Sequence, residues 1–426
     1  MISLALHLFV IPFPSDGGKV FDEANYVQAC LDLIDGKASN LEHPFVGKAW
    51  AGLSIAIFGN SWFAWRIPSV IFGLFTIWIF FGLSRHFLNE YQALYAAAFL
   101  AFENIFFTHS SLLLLDIAPL FFGISGIYLY LEKRCFFAAL ALALSTLSKE
   151  WGVMFAAIVI IYHLFQNRRL MDGENLRQSG KFLLIYISVI FLAIWAYDFL
   201  YQPVVKRTVI FQSPVIAEVN GNNRQMASRR EETVLLKNPV DHFQYMLAYH
   251  TSLVMKTNDI IDVWNNLPWG WISPFHIKAP IYFQTTLSKN VAVTSLGKTI
   301  KSSVQTSHPI TWTGMGNLFI WLTIWLIAPF CVFRVLTGRG KSLDRLILIW
   351  IAVTYLPWFY VSLGVRRVVY SFYFINTVPA LCLGIPHLIA SVFTSAKTEK
   401  IILSLWLALT IGFFFYYFPV NVFQKW

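Results

Sequence analysis

Charge is scarce in this 426-residue sequence: charged residues make up 13% against 57% hydrophobic, and mean hydropathy is +0.60. A soluble domain could not cover such a core with so little polar surface, so the chain is solvated by lipid. Cysteine is scarcer still. Cys30, Cys135, Cys331 and Cys382 stand far apart, without the spacing of a metal site or a disulfide framework, and read as small apolar fillers. Glycines are scattered, with neither a G-x-x-x-x-G-K loop followed by Ser or Thr nor a strand-borne G-x-G-x-x-G, which excludes the common nucleotide-binding loops. Acidic residues are outnumbered 22 to 32, a net charge of +10. The excess divides between short loops and one long loop, which points to membrane orientation and anionic ligands rather than to nucleic acid.

What is abundant is apolar sequence. Runs at roughly 1–13, 64–84, 90–108, 112–131, 135–148, 151–166, 182–200, 317–336, 344–362, 370–391 and 400–419 predict an all-α multi-pass membrane protein of about eleven spans. The first run would reach only about 20 Å as a helix, so it is completed by the loop after it or by chain upstream. It lacks a basic start and a small-residue cleavage site, and does not read as a cleaved signal peptide. Arg85, Lys133-Arg134, Arg168-Arg169 with Arg177 and Lys181, Arg334, Arg339, Lys341, Arg345, Lys397 and Lys400 fall on alternate connections, which are therefore expected in the cytoplasm. That puts the loops 14–63 and 201–316 on the outer face. The expected organisation is a first membrane module at 1–200 carrying the outer loop 14–63, a long extracytoplasmic loop at 201–316, and membrane helices at 317–426.

Five cations break the charge rule. Lys48, Arg66, Lys149, Arg366 and Arg367 fall at the outer ends of predicted spans, where each costs a few kcal/mol unless paired. Singly they could snorkel or meet a nearby acid. Together on one face they suggest a shared anion, with a phosphate at headgroup level the obvious choice.

The loop 14–63 supplies acids. Apolar residues at 27, 30, 31 and 34 predict a short interfacial helix that Gly36 ends, with Asp22 and Glu23 at its positive N-terminal end. The pair could serve simply as an N-cap. In His43-Pro44-Phe45-Val46-Gly47-Lys48, the proline suits a first helical position and sends Lys48 back toward the membrane surface. In the long loop, Trp264, Trp269, Trp271 and Tyr282 could stack on sugar rings or float at the interface, and the polar stretch from Gly221 to Glu232, with Arg224, Arg229 and Arg230, could cover an acceptor groove. Glu103 and Asp198 read as paired or cavity-lining acids.

Taken in order, Asp22-Glu23, His43-Pro44 through Lys48, and Trp65-Arg66-Ile67-Pro68-Ser69 resemble the first third of the protein O-mannosyltransferases, which share the GT-C fold of polyprenyl-phosphate-sugar-dependent glycosyltransferases. Leu115-Asp116, Leu147-Ser148-Lys149-Glu150-Trp151-Gly152, Pro268-Trp269-Gly270-Trp271, Pro280-Ile281-Tyr282-Phe283, Gly316-Asn317, Tyr355-Leu356-Pro357-Trp358, Arg366-Arg367 and Tyr370-Ser371-Phe372-Tyr373-Phe374 extend the likeness over nearly the whole chain. Gly270 stands where the family usually has a second aromatic, Phe45 where it often has a second proline, and Leu318 where proline would follow Gly-Asn. No room exists for the β-trefoil repeats of eukaryotic members, so the chain resembles a compact prokaryotic form.

The resemblance implies an inverting transfer of mannose, or a similar sugar, from a polyprenyl or dolichyl phosphate to Ser/Thr hydroxyls of an acceptor protein on the extracytoplasmic face of the cell membrane. A phosphate leaving group is already a stable anion, so one base suffices, in contrast to the two carboxyls of glycosidases. Asp22 is the expected base, with Glu23 orienting the acceptor or a neighbouring cation. Lys48, Arg66, Lys149, Arg366 and Arg367 are expected at the donor phosphate, Arg66 and Arg367 foremost. His43 supports the site, and Asp116 is expected to partner one of the cations. The resemblance implies no metal, although Asp22, His43, Glu103, His109 and Asp116 could be drawn together as one. The lipid-linked sugar takes the place of a cofactor, and a dimer is left open. Two other readings compete: a transferase of the same fold with a lipid or glycan acceptor, such as the aminoarabinose transferases, and an anion transporter. The latter would favour cations near the midplane and an internal repeat, and no repeat is seen.

Overall fold

The computed structural model of the chain describes residues 1–14, 18–166, 173–219, 222–253, 267–273, 280–285, 287–295, 298–307 and 310–420. Trp264 and Gly221 lie outside the described residues.

Lipid offers no partner to backbone N–H and C=O groups, so the apolar runs fold as helices. Five described helices are long and apolar enough to cross a membrane: Trp62–Arg85, Ser179–Tyr201, Leu318–Leu336, Ser342–Gly364 and Ala396–Tyr416. Shorter apolar helices, Val46–Phe58, Ile117–Leu131, Cys135–Ser148, Glu150–Gln166 and Val378–Val392, accompany them. Large apolar side chains such as Trp78, Leu184, Phe199 and Leu336 face outward, as suits a lipid solvent.

Some expected spans are broken for identifiable reasons. The run 90–108 divides into Glu90–Ala101 and Asn104–Ser111 because Glu103 caps the second helix, its carboxylate accepting from Phe106 N at 2.6 Å. The same carboxylate accepts from Asn317 N and Trp321 Nε1, at 2.9 and 3.0 Å, so the break also ties this part of the chain to the helix start after Asn317. This accounts for the buried acid there. Asp198 is likewise paired, with His242 at 2.7 Å.

The outer-loop helix runs Glu23–Ile34, and Tyr26, Val27, Ala29 and Cys30 are its buried face. Ile34, expected on that stripe, is exposed. Gly36 follows the helix at φ +73°, a left-handed conformation that glycine adopts without strain. The next helix, Val46–Phe58, begins two residues after Pro44. At Gly47 a Cβ would lie 2.7 Å from the Ser148 carbonyl oxygen. Glycine therefore lets this helix rest on the end of Cys135–Ser148, beside Lys149.

Among the described residues of the long loop, strands form three two-stranded antiparallel ribbons: Val204–Val219 with Asn222–Leu235, Ile281–Gln284 with Thr311–Thr313, and Leu287–Ser295 with Lys298–Ser307. The polar stretch expected over the acceptor groove falls largely in the second strand of the first ribbon. Both long loops meet at one end of the bundle: Phe21 stacks on Tyr282 with ring centres 4.4 Å apart, and His250 Nε2 lies 3.0 Å from the Glu42 carbonyl.

Candidate active site

The helix Trp62–Arg85 enters the bundle with Arg66 on its first turns, and Glu23 meets it from the start of the outer-loop helix. Both side chains are fully buried and paired at 2.6 Å, with a second contact from Arg66 Nε to Glu23 Oε1 at 2.8 Å. Arg66 Nη1 donates to the carbonyls of Ile11 and Phe13, each at 2.8 Å, and Nη2 reaches Gly18 O at 3.5 Å. Glu23 also accepts from Val20 N at 2.8 Å and Leu113 N at 2.9 Å. Arg66, expected at the donor phosphate, is instead the saturated partner of Glu23. Glu23 accordingly orients a cation and leaves no carboxylate edge open to an acceptor.

Lys48 is corrected in the same way. Its ammonium is buried rather than aimed at the membrane surface, and donates to the Asn40 carbonyl and, at 2.9 Å, to the His43 carbonyl. It closes the loop 39–43 onto the helix Val46–Phe58.

Asp22 has a different setting. It stands immediately before the helix that Glu23 opens, makes no side-chain capping bond, and its half-buried carboxylate has no hydrogen-bond partner among the described residues. Burial raises its pKa above the ordinary 3.8; Lys149 opposes the rise, and the negative Asp116 adds to it. Asp116 ends the segment after Asn104–Ser111 and collects Lys149 Nζ at 2.8 Å, His109 Nδ1 at 3.1 Å and Trp151 Nε1 at 3.2 Å. It partners a cation, as the sequence suggested. Lys149, in the extended residue between Cys135–Ser148 and the turn Glu150–Gly152, also sits 5.8 Å from the Phe372 ring centre. The other nitrogen of His109 meets Tyr282 Oη at 3.1 Å, which carries the network into the long loop.

Next to this cluster opens a cavity of about 520 Å³. Its walls are mainly apolar, including Ile190, Ile194, Phe243, Met246 and Val361, while Glu150, His250 and Arg367 also line it. Arg367 is half-buried, reaches Tyr373 Oη at 3.5 Å, and keeps a buried Nε with no partner among the described residues. Arg366, at φ +56°, is exposed. His43 Nδ1 lies 2.8 Å from Glu150 Oε2, and His250 Nε2 lies 3.4 Å from Glu150 Oε1. Burial lowers the His250 pKa.

The structure thus gathers Asp22, Lys149 and Asp116 into one electrostatic cluster, with His43 and Arg367 close by, and withdraws Arg66 and Lys48 into the frame. The metal set sketched from Asp22, His43, Glu103, His109 and Asp116 is not assembled, since Glu103 is committed to its helix cap and to Asn317 and Trp321. Sequence reading missed His250 and the pairing of Glu150. The helix Pro239–Ser252 that carries His250 was announced by Asn238 as N-cap, proline at the first turn and Asp241 behind it, a start signal inside the long loop 201–316. Trp271 and Tyr282 are packed against the protein: Trp271 lies among Tyr355 and Phe374, and Tyr282 is held by Phe21 and His109.

Residues 42–197 match the family model described as dolichyl-phosphate-mannose-protein mannosyltransferase. No curated protein matches the sequence. Among solved structures, the chain is similar to the S. cerevisiae protein O-mannosyltransferase Pmt1-Pmt2 complex bound to the sugar donor, with 13% identity, a TM-score of 0.70, and coverage of 100% of this chain and 90% of that one. ArnT from Cupriavidus metallidurans bound to undecaprenyl phosphate shares 11% identity at a TM-score of 0.57, over 95% of this chain and 62% of that one. The Archaeoglobus fulgidus oligosaccharyltransferase in its apo form gives 14% and 0.55, over 100% and 55%. At these identities the likeness speaks to the fold.

Proposed function

Since the chain has the GT-C glycosyltransferase fold, with residues 42–197 of protein O-mannosyltransferase type, we propose that it is an inverting transferase moving a sugar, mannose foremost, from a polyprenyl phosphate to Ser or Thr hydroxyls of an acceptor protein outside the cytoplasm. The observation that carries this reading is Asp22, a half-buried carboxylate without a hydrogen-bond partner among the described residues, set against Lys149, whose chain neighbour Glu150 lines an apolar cavity together with an under-bonded arginine. A hydroxyl approaching Asp22 gives up its proton as its oxygen attacks the anomeric carbon. The bond from that carbon to the phosphate oxygen breaks on the opposite face, and the electron pair leaves with the phosphate.

Arg367 suits the departing phosphate, because a guanidinium presents paired donors to its oxygens. Lys149 adds fixed positive charge, and charge placed where it develops is the largest usual contribution to such a barrier. The apolar walls suit the isoprenoid chain. Basic residues on the alternate connections support the outward orientation of this end.

The test is transfer of radiolabelled mannose from polyprenyl-phosphate-mannose to a Ser/Thr peptide by the purified chain and its Asp22→Asn variant. Transfer by the wild type and its loss in the variant, with donor binding kept, is the expected result. Undiminished turnover in the variant removes Asp22 as base. Transfer to a lipid acceptor but not to peptide selects the aminoarabinose-transferase-like reading instead.

A further inference from the structure

Three side chains from separate parts of the sequence converge on the wall of the cavity. His43 precedes the helix Val46–Phe58, Glu150 opens the turn Glu150–Gly152, and His250 lies near the end of Pro239–Ser252. One ligand-capable atom from each falls within 4.8 Å of the others, and the two imidazole centres are 5.4 Å apart. Ordinary ion pairing would account for one histidine on the carboxylate, but it leaves His250 unexplained: its Nδ1 is buried with no hydrogen-bond partner among the described residues. Its Nε2 lies 3.0 Å from the Glu42 carbonyl, a backbone contact of the kind that fixes the ring and tautomer of metal-bound histidines.

We propose that His43, Glu150 and His250 bind a single divalent ion of the zinc class, with its remaining coordination open to the cavity. Two imidazoles and one carboxylate form the three-ligand set that zinc accepts when it keeps a further position free. Imidazole nitrogen disfavours calcium and magnesium, which take oxygen ligands. Donor atoms around a tetrahedral zinc at about 2.0–2.1 Å sit roughly 3.3 Å apart. With Nε2 held by the Glu42 carbonyl, Nδ1 is the His250 atom left for the ion, and the 2.8 Å separation of His43 Nδ1 from Glu150 Oε2 needs a small opening. Glu150 and His250 share the cavity lining with Arg367, so an anion entering there would meet the ion and the guanidinium together. That anion also offsets the repulsion between the two cations. The site departs from the metal-free expectation drawn from the resemblance, and it stands or falls separately from the transferase reading, because its readout is binding.

The full chain, purified in detergent, is stripped with chelator, dialysed against zinc sulfate and then against buffer, and its metal content measured by mass spectrometry. About one equivalent per chain is expected, with zinc affinity weakened at least about tenfold in both His43→Ala and His250→Ala. His109→Ala, a change at a buried histidine outside the trio, should keep its zinc. Cobalt loading of the wild type gives a visible ligand-field spectrum of nitrogen and oxygen donors, which serves even where an alanine variant fails to elute as a folded species. Wild-type protein that retains no zinc and gives no such spectrum overturns the proposal. So does zinc held equally well by folded His43→Ala and His250→Ala.

Discussion

Arg66 and Arg367 stand at the same end of the bundle and carry the same group, yet their surroundings differ in kind. The Arg66 guanidinium has its nitrogens committed to Glu23 and to the carbonyls of Ile11, Phe13 and Gly18. Among the described residues, Arg367 has one long hydrogen bond, to Tyr373, and a buried Nε without a partner. The same contrast separates the adjacent acids, Glu23 with its ring of donors and Asp22 with none among the described residues. A buried charge whose bonding is complete belongs to the frame, because any new ligand must first break what it has. A charge left incomplete beside a cavity has capacity for a substrate. In this fold the saturated pair Glu23–Arg66 fixes the position of its open neighbour, Asp22.

The largest expected effect tests the open side. Asp22→Asn should cost about 10²–10⁴-fold in kcat, the usual worth of a general base, with little change in melting temperature. A loss of stability in step with the loss of rate would place Asp22 in the frame and dissolve the contrast. On the saturated side, Arg66→Met strands Glu23 in the interior and should destabilise by about 3–5 kcal/mol, read as a lower melting temperature in detergent. Adding Glu23→Gln removes the stranded charge and should recover much of the loss. If Arg66→Met instead melts like the wild type and fails only in donor binding, Arg66 is a phosphate ligand after all.

Part of this division was legible in the sequence. The Asp22-Glu23 pair, the helix after it and its stop at Gly36, the acid at 116 as partner to a cation and the clustering of cations at one face all follow from residue type, spacing and the cost of charge in lipid. What could not be read was which cation meets which acid. Arg66 lies 43 positions from Glu23, and Asp116 lies 33 from Lys149; pairing over such distances depends on how helices pack, not on periodicity. Lys48 deceived for a related reason: a lysine can spend its charge on carbonyls of a neighbouring loop, and carbonyls are invisible in a sequence. The span count suffered similarly, since Glu103 breaks an apolar run by capping the helix that follows.

A smaller effect isolates Arg367. Arg367→Ala should raise the KM for the donor roughly 10- to 100-fold, the equivalent of one charge-assisted hydrogen bond, and Arg367→Lys should restore part of it, since charge survives and the paired geometry does not. An unchanged KM would mean that the open nitrogen has no ligand, and the comparison with Arg66 would lose its functional half.

The finest test uses protons. Asp22 must be ionised to accept a proton, and burial together with the negative Asp116 raises its pKa above the ordinary 3.8 against the pull of Lys149. Activity should therefore be complete at high pH and fall away on acidification while the pH is still above 3.8. The acid limb of kcat/KM reports this group in the free enzyme. Removing the opposing cation with Lys149→Met should push the limb further up, whereas Arg66→Met, which removes a cation whose charge Glu23 already cancels, should move it much less. A limb that shifts equally in both variants would show that Asp22 senses the two cations alike, and the distinction between frame and site would then rest on hydrogen bonding alone.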